Sequence, residues 1–433
     1  MKPPGPKPHF LVGNLPEFGK DILGFFTTCA TYGDVVSLRM AGWPAIFINH
    51  PDHFDHVLLE NSKNFRKHRF FWRHVTEIFG QGLVTNEGAP WLRQRRLMQP
   101  AFHRERIAGY GATMSDYAER MLDRWDAEDI RQRDVHEDLM HLTMEIATKT
   151  LFGADLTDET AEEIGVVFNA VIVEIANRFR RPFRIPRWLP LPGNRRYANA
   201  VARLDRLIFD TIAKKRGAEG DDLLSMLLEA RDEDGSAMDA KQIRDEAVTI
   251  FLAGHETTAI ATFWTFHLLA RHPSIEEQLV HELQSAGDPL RVPLLLNVIN
   301  ESLRLYPPAY AFGREAIGDF EIGGYRIAKG TTVFLSPWVS HRDPRWFDDP
   351  LEFRPDRWNN DLAKRLPRFA YFPFGGGPRV CIGNSFALME AALIVASVLR
   401  RYRLSLIPDA KTTIFPSITL RPEGGRMGVE RRD

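Results

Sequence analysis

From about residue 52 to residue 305 the chain keeps helical periodicity, in segments such as 106–125, 137–152, 159–177, 196–217 and 240–270. Strand-like runs lie outside that stretch. Residues 34–50 (DVVSLRMAGWPAIFINH) read as two short strands around a Gly-Trp-Pro turn, and further runs occur at 319–335 and 402–421. A helical middle with small sheets at either end lacks βαβ alternation, which excludes a dinucleotide fold and predicts a mainly α (α+β) chain. No repeat or low-complexity linker divides it, and the Pro-rich stretches at 3–8, 182–192 and 307–308 are brief. Residues 1–433 therefore read as one large domain, with residues 1–20 as a Pro-rich N-terminal arm.

Charge and cysteine content narrow the function classes. The 56 Lys and Arg balance 57 Asp and Glu, so nothing draws the whole chain to nucleic acid or to an anionic membrane. Only Cys29 and Cys381 are present, which leaves no disulfide framework or CxxC cluster and suits a reducing cytoplasm. The longest apolar stretch, Ala391–Leu399, is far short of the ~20 residues that cross a bilayer. Lys2 and Lys7 have no apolar core behind them, so the N-terminus does not read as a signal peptide. These features predict a soluble protein without a transmembrane segment.

One segment carries chemistry: Phe374-Gly375-Gly376-Gly377-Pro378-Arg379-Val380-Cys381-Ile382-Gly383. Three glycines and a proline cannot sit inside a helix; they form a tight loop whose backbone can approach a flat partner closely. A helix-compatible run, Ser385–Leu399, follows, so Cys381 lies just before a helix N-terminus, where the dipole favours a thiolate. Arg379 adds positive charge, and Phe374 offers an aromatic wall. A lone cysteine is ordinarily a small buried hydrophobe, and a Gly-rich loop can hold phosphate. This loop lacks the GxxxxGK[ST] pattern, so the phosphate reading fails.

Two other clusters invite readings that are declined. His50, His53 and His56 recur every three residues on an expected helix beside Asp52 and Asp55, a pattern commoner on solvated faces than at metals. Arg178, Arg180, Arg181, Arg184 and Arg187 alternate with Phe179, Phe183 and Trp188, basic and aromatic enough to suggest nucleic acid.

The loop resembles, at every specified position, the FxxGxRxCxG pattern of the cytochrome P-450 family, and the resemblance extends from about residue 30 to 425. It implies a helix-rich P-450-like domain with small β-sheets near its N- and C-terminal parts, and haem b with Cys381 as axial thiolate. Phe374, Gly375, Arg379 and Gly383 would surround the macrocycle. Glu301-Ser302-Leu303-Arg304, followed by Pro307-Pro308 and by Arg354-Pro355-Asp356-Arg357-Trp358, is similar to the family's buried Glu-Arg-Arg triad, with Glu301, Arg304 and Arg357 as members. Trp358 and Asp356 stand where Phe and Glu are commoner. Trp91 and Arg95 match the WxxxR helix whose indole and guanidinium hold haem propionates, as would Arg314 and Arg379. Ala253-Gly254-His255-Glu256-Thr257-Thr258 resembles the (A/G)Gx(D/E)T oxygen-binding kink. There Thr257 would donate to dioxygen, Glu256 would relay protons, and Ala253 and Gly254 would leave space.

The resemblance further implies a monooxygenase that hydroxylates or epoxidises an apolar small molecule: a terpenoid, fatty acid, steroid or polyketide. Its electrons would come from a ferredoxin or flavodoxin with an NAD(P)H-dependent reductase, docking near Arg93, Arg96, Arg104 and Arg368. Family layout places Phe71, Phe79, Leu83, Val84, Phe168, Ala309, Phe312, Phe415 and Ile418 at the substrate, and the arginine- and aromatic-rich stretch in a gating connection rather than at nucleic acid. The span from His281 to Glu301 is shorter than is usual in the family. The alternatives are the same scaffold as a peroxygenase or isomerase without external electrons, or a non-catalytic haem sensor. The acid–Thr pair argues against both.

Overall fold

Strand β1 (Val35–Met40) turns at Ala41, which has positive φ, into β2 (Trp43–Ile48), and the two pair antiparallel from Val35↔Ile48 to Met40↔Trp43. The remaining strands are β3 (Phe65–Lys67), β4 (Gln132–Asp134), β5 (Phe312–Ala316), β6 (Phe320–Ile322), β7 (Tyr325–Ile327), β8 (Thr332–Leu335), β9 (Tyr402–Leu406), β10 (Thr413–Pro416), β11 (Leu420–Glu423) and β12 (Arg426–Arg431). The computed structural model describes residues 2–68, 72, 75–76, 79–153, 191–215, 220, 222–408 and 410–432.

The chain divides into two compact units. The first holds Met1–Trp72, Leu296–Cys381 and Ile414–Arg421. Its five-stranded sheet has the order β1-β2-β8-β5-β3, with β2 and β8 parallel and the other pairs antiparallel. Period-two alternation puts Val35, Ile46 and Ile48 into one apolar cluster and Val36, Ala45 and Phe47 into another, so β1 and β2 are covered on both faces. That explains why 34–50 is legible as strands. The three-residue β3 and the charged β5 carry little strand signal of their own, and the neighbouring strands recruit them. The N-terminal arm docks on β1: the Ser37 amide donates to the Pro4 carbonyl at 2.7 Å.

The second unit holds Arg73–Leu295, Ile382–Thr413 and Pro422–Asp433. It contains the helices Gly88–Met98, Arg104–Glu128, Val135–Phe152, Pro192–Lys215, Leu223–Glu229, Ala240–Arg271, Pro273–Ser285 and Asn384–Arg401, with a small antiparallel sheet of order β4-β12-β9. The expected helix at 159–177 lies outside the described residues.

The 32-residue helix Ala240–Arg271, called the central helix below, spans about 48 Å at the usual rise. It is capped by Asp239, whose side chain accepts from the Gln242 amide. It packs closely on Val135–Phe152 and buries charged and polar side chains along with apolar ones. Between Ile243 and Leu269 every residue is buried except Ala253, Gly254 and Thr257. The short span before Glu301 is a single 3₁₀ turn, Pro289–Arg291, between the helices Pro273–Ser285 and Pro293–Leu305. Among the described residues no helix is long and apolar enough to cross a membrane.

Candidate active site

The glycines of the cysteine loop have separate reasons. Gly377 adopts φ +63°, and a Cβ there would lie 1.8 Å from the Leu58 carbonyl oxygen. Gly375 also has positive φ, +71°, but a Cβ there would meet nothing within 4 Å. The first glycine is demanded by close backbone packing, the second by conformation beside open space. The Cys381 amide donates to the Phe374 carbonyl at 3.0 Å and so closes the loop. A 3₁₀ turn, Gly377–Arg379, precedes the cysteine, and the helix Asn384–Arg401 begins three residues after it.

The two cysteines differ in the property that a metal ligand needs. Cys381 is exposed, whereas Cys29 is buried and its thiol is pushed up to about 12 by that burial. A thiolate ligand therefore has one candidate. The residues fit a flat macrocycle at this loop: an accessible sulfur, a half-buried Phe374 and Arg379, and an opening over Gly375.

Behind the loop sequence, Glu301 and Arg304 are wholly buried and bonded twice, Nε to Oε2 and Nη2 to Oε1, each at 2.8 Å. Arg357 Nε donates to Glu301 Oε1 at 2.9 Å. Arg304 also donates to the carbonyls of His341, Pro350 and Glu352, so all five of its N–H groups are used. The same carboxylate accepts the Arg354 amide and the Trp358 indole N–H, each at 2.9 Å. Trp358, read from sequence only as a departure from the family pattern, is thus a direct partner of Glu301. Full pairing is what makes such buried charges tolerable; stripping one partner from a buried pair costs about 3–5 kcal/mol.

On the central helix, Ala253, Gly254 and Thr257 share one face at i, i+1 and i+4. Ala253 is exposed, and a Cβ on Gly254 would meet nothing within 4 Å. This face therefore has room beside it while the rest of the helix is packed. The helix runs unbroken from Ala240 to Arg271 through this strip. Thr257 Oγ donates to the Ala253 carbonyl at 2.7 Å, and Thr258 Oγ to that of Gly254 at 3.0 Å. Glu256 is buried. Beside Thr258 lies Glu390, fully enclosed, whose carboxyl burial pushes up to about 8, with the Thr258 hydroxyl opposing the shift.

Asp245 and Glu246, one turn from the N-terminal end of the strip's helix, hold a loop. Asp245 accepts the Gln81 amide and Glu246 the Leu83 amide, each at 2.8 Å. Sequence reasoning missed this clamp, because buried acids on a helix carry no mark of what they bind. Among the apolar substrate candidates, Leu83 is buried, Phe79, Val84, Phe312, Phe415 and Ile418 are half-buried, and Ala309 is exposed. Phe71 and Phe168 lie outside the described residues, as does the stretch from Arg178 to Trp188.

The propionate candidates are spread over several elements. Trp91 and Arg95 are half-buried on the helix Gly88–Met98, where Arg95 Nε donates to Gln99 at 2.9 Å. Arg314 on β5 lies over the Phe312 ring, 5.2 Å from its centre. Of the arginines expected to face a redox partner, Arg93 is engaged within its own unit, with Nε 2.8 Å from Asp232. Arg96 reaches Glu233 at 3.2 Å, Arg368 reaches Asp55 at 3.2 Å, and Arg104 is exposed. The His50 side chain caps a short helix by accepting from the Asp52 amide, and among the described residues no group of three or more His, Cys, Asp or Glu gathers in a metal-holding cluster.

The loop offers one accessible thiol, the ligand type a haem–thiolate protein needs, and comparison with known proteins supplies the class. The cytochrome P450 family model matches residues 3–429, so the chain belongs to that family. It is 35% identical to a cyclooctatin synthase of Streptomyces melanosporofaciens over 98% of this chain and 94% of the relative. It is 36% identical to a cyclooctat-9-en-7-ol 5-monooxygenase of the same species, over 94% and 89% of the two chains. Identity to a pentalenene oxygenase of Streptomyces avermitilis is 35%, covering 94% and 92%. The chain is a cytochrome P450 monooxygenase that acts on an apolar small molecule with dioxygen and externally supplied electrons, and its cofactor is haem with a cysteine thiolate ligand.

Proposed function

We propose that this enzyme hydroxylates or epoxidises a terpenoid, with Cys381 as the thiolate ligand of haem b. The observation that carries the reading is the open strip Ala253–Gly254–Thr257 on an otherwise buried helix. Space is kept there beside the Thr257 side chain. The relatives named for pentalenene and cyclooctat-9-en-7-ol favour a terpenoid over a fatty acid, steroid or polyketide.

The haem, when bound, supplies oxygen activation, with a thiolate ligand favouring O–O cleavage over oxygen carriage. The chain's residues do the rest. Trp91, Arg95, Arg314 and Arg379 would hold the propionates, the arginines by charge-assisted hydrogen bonds. Phe374, Gly375 and Gly383 would shape the loop that receives the ring. Thr257 Oγ donates toward dioxygen, and Glu256 passes it protons from solvent. Ala253 and Gly254 keep the distal space open, and the apolar candidates around Leu83 and Phe312 exclude water and orient the substrate. Residues 1–433 act as one catalytic domain in the cytoplasm, reduced by a ferredoxin or flavodoxin and its NAD(P)H-dependent reductase.

The first test is the absorption spectrum of the reduced protein under carbon monoxide. A strongly red-shifted Soret band is expected in wild type and none in Cys381→Ala. A histidine-type band in wild type would sink the ligand assignment. Titration with pentalenene, a fatty acid and a steroid should give a spin-state shift for the terpene at the lowest concentration. A tighter response to the steroid or fatty acid would overturn the substrate class.

A further inference from the structure

Four carbonyls in one stretch of the central helix each take a side-chain donor. His255 Nδ1 donates to the Phe251 carbonyl at 2.8 Å, Thr257 to Ala253 at 2.7 Å, and Thr258 to Gly254 at 3.0 Å. The fourth donor comes from another helix: Thr143 Oγ, on Val135–Phe152, lies 2.9 Å from the His255 carbonyl. Its single proton is shared with the Leu139 carbonyl of its own helix, also at 2.9 Å. Thr143 is 0% exposed and His255 2%, so water cannot stand in for this contact.

A side-chain donor on a helical carbonyl competes with the backbone amide four residues on and lets the helix bend or loosen locally. Three of these donors are local and travel with the helix. Of the four, the Thr143 donor is the one that comes from a neighbouring helix, and it acts on the residue between Gly254 and Glu256. The backbone carrying Thr257 is therefore held from the side opposite its open strip.

We infer that Thr143 is a positioning residue for oxygen activation, pinning the Gly254–Thr257 turn through the His255 carbonyl so that the Thr257 hydroxyl keeps its place. The role in the reaction rests on the proposed function of Thr257; the brace itself does not.

The test uses the purified haem-loaded enzyme and the variants Thr143→Val, Thr143→Ser, Thr257→Val and Thr143→Val/Thr257→Val. Amide hydrogen exchange over residues 253–260 should quicken about five-fold in Thr143→Val, as expected for one lost hydrogen bond, and stay near wild type in Thr143→Ser. Reoxidation of the reduced enzyme in air-saturated buffer should quicken in Thr143→Val and in Thr257→Val, with the double variant no faster than Thr257→Val. Wild-type exchange in Thr143→Val would overturn the brace, and additive reoxidation effects in the double variant would overturn action through Thr257. A Thr257→Val enzyme that reoxidises like wild type would remove the role given to Thr257, while the exchange measurement still decides the brace. Should Thr143→Val not fold, Thr143→Ala read by exchange alone replaces it.

Discussion

Single residues here are governed by how completely their polar atoms are paired. Glu301 accepts five hydrogen bonds and Arg304 uses all five donors, so a fully buried ion pair is stable as a scaffold. Glu390 is the contrasting case, a wholly enclosed carboxyl without a cationic partner among the described residues, raised from the usual 4.5 to about 8. The folded chain then holds a proton that the unfolded chain releases, so this contribution to stability is full below pH 4.5 and is lost as pH rises through about 8. The slope is at most about 1.4 kcal/mol per pH unit for one such group. Glu390→Gln should flatten the fall of the unfolding midpoint between pH 5 and 8. An unchanged slope would mean the carboxyl is ionised in the folded state.

At the scale of elements, the same residue type is used for opposite ends. Gly377 is fixed by its positive φ and by the Leu58 carbonyl, whereas Gly254 sits in ordinary helix beside empty space. Alanine at Gly254 should therefore raise stability by about 1 kcal/mol through helix propensity. It should also lower turnover, because the added methyl fills the strip that Ala253 and Thr257 leave open. Thermal unfolding and product formation measured together decide the point: a gain in stability with full activity would show that the strip's space is not used. Such a position exchanges stability for function.

For the molecule as a whole, charge is nearly balanced, so attraction to a redox partner depends on local arginines rather than on a global field. Arg104 is exposed on the first turn of its helix, while Arg93 is already paired with Asp232. Arg104→Glu should slow reduction by an acidic ferredoxin at low salt, and the difference should shrink towards 1 M salt, where screening acts within about 3 Å. Stopped-flow reduction at two ionic strengths tests this. Equal rates at low salt would place the docking surface elsewhere.

Sequence alone determined the features whose signal is local. The helical periodicity of the central helix, the alternation in β1 and β2, and the FxxGxRxCxG loop each depend on near neighbours in the chain, and periodicity or turn chemistry exposes them. Tertiary structure decided what depends on partners distant in sequence. Trp358 reads as a deviation until it is found 57 residues away from Glu301 in sequence yet bonded to it. Thr143 reads as an ordinary helical threonine until its hydroxyl meets a carbonyl 112 residues further on. The charged strand β5 pairs because β8 and β3 lie beside it. A residue's hydrogen-bonding capacity is written in its type, but which partner removes that capacity from water is settled only when the chain packs.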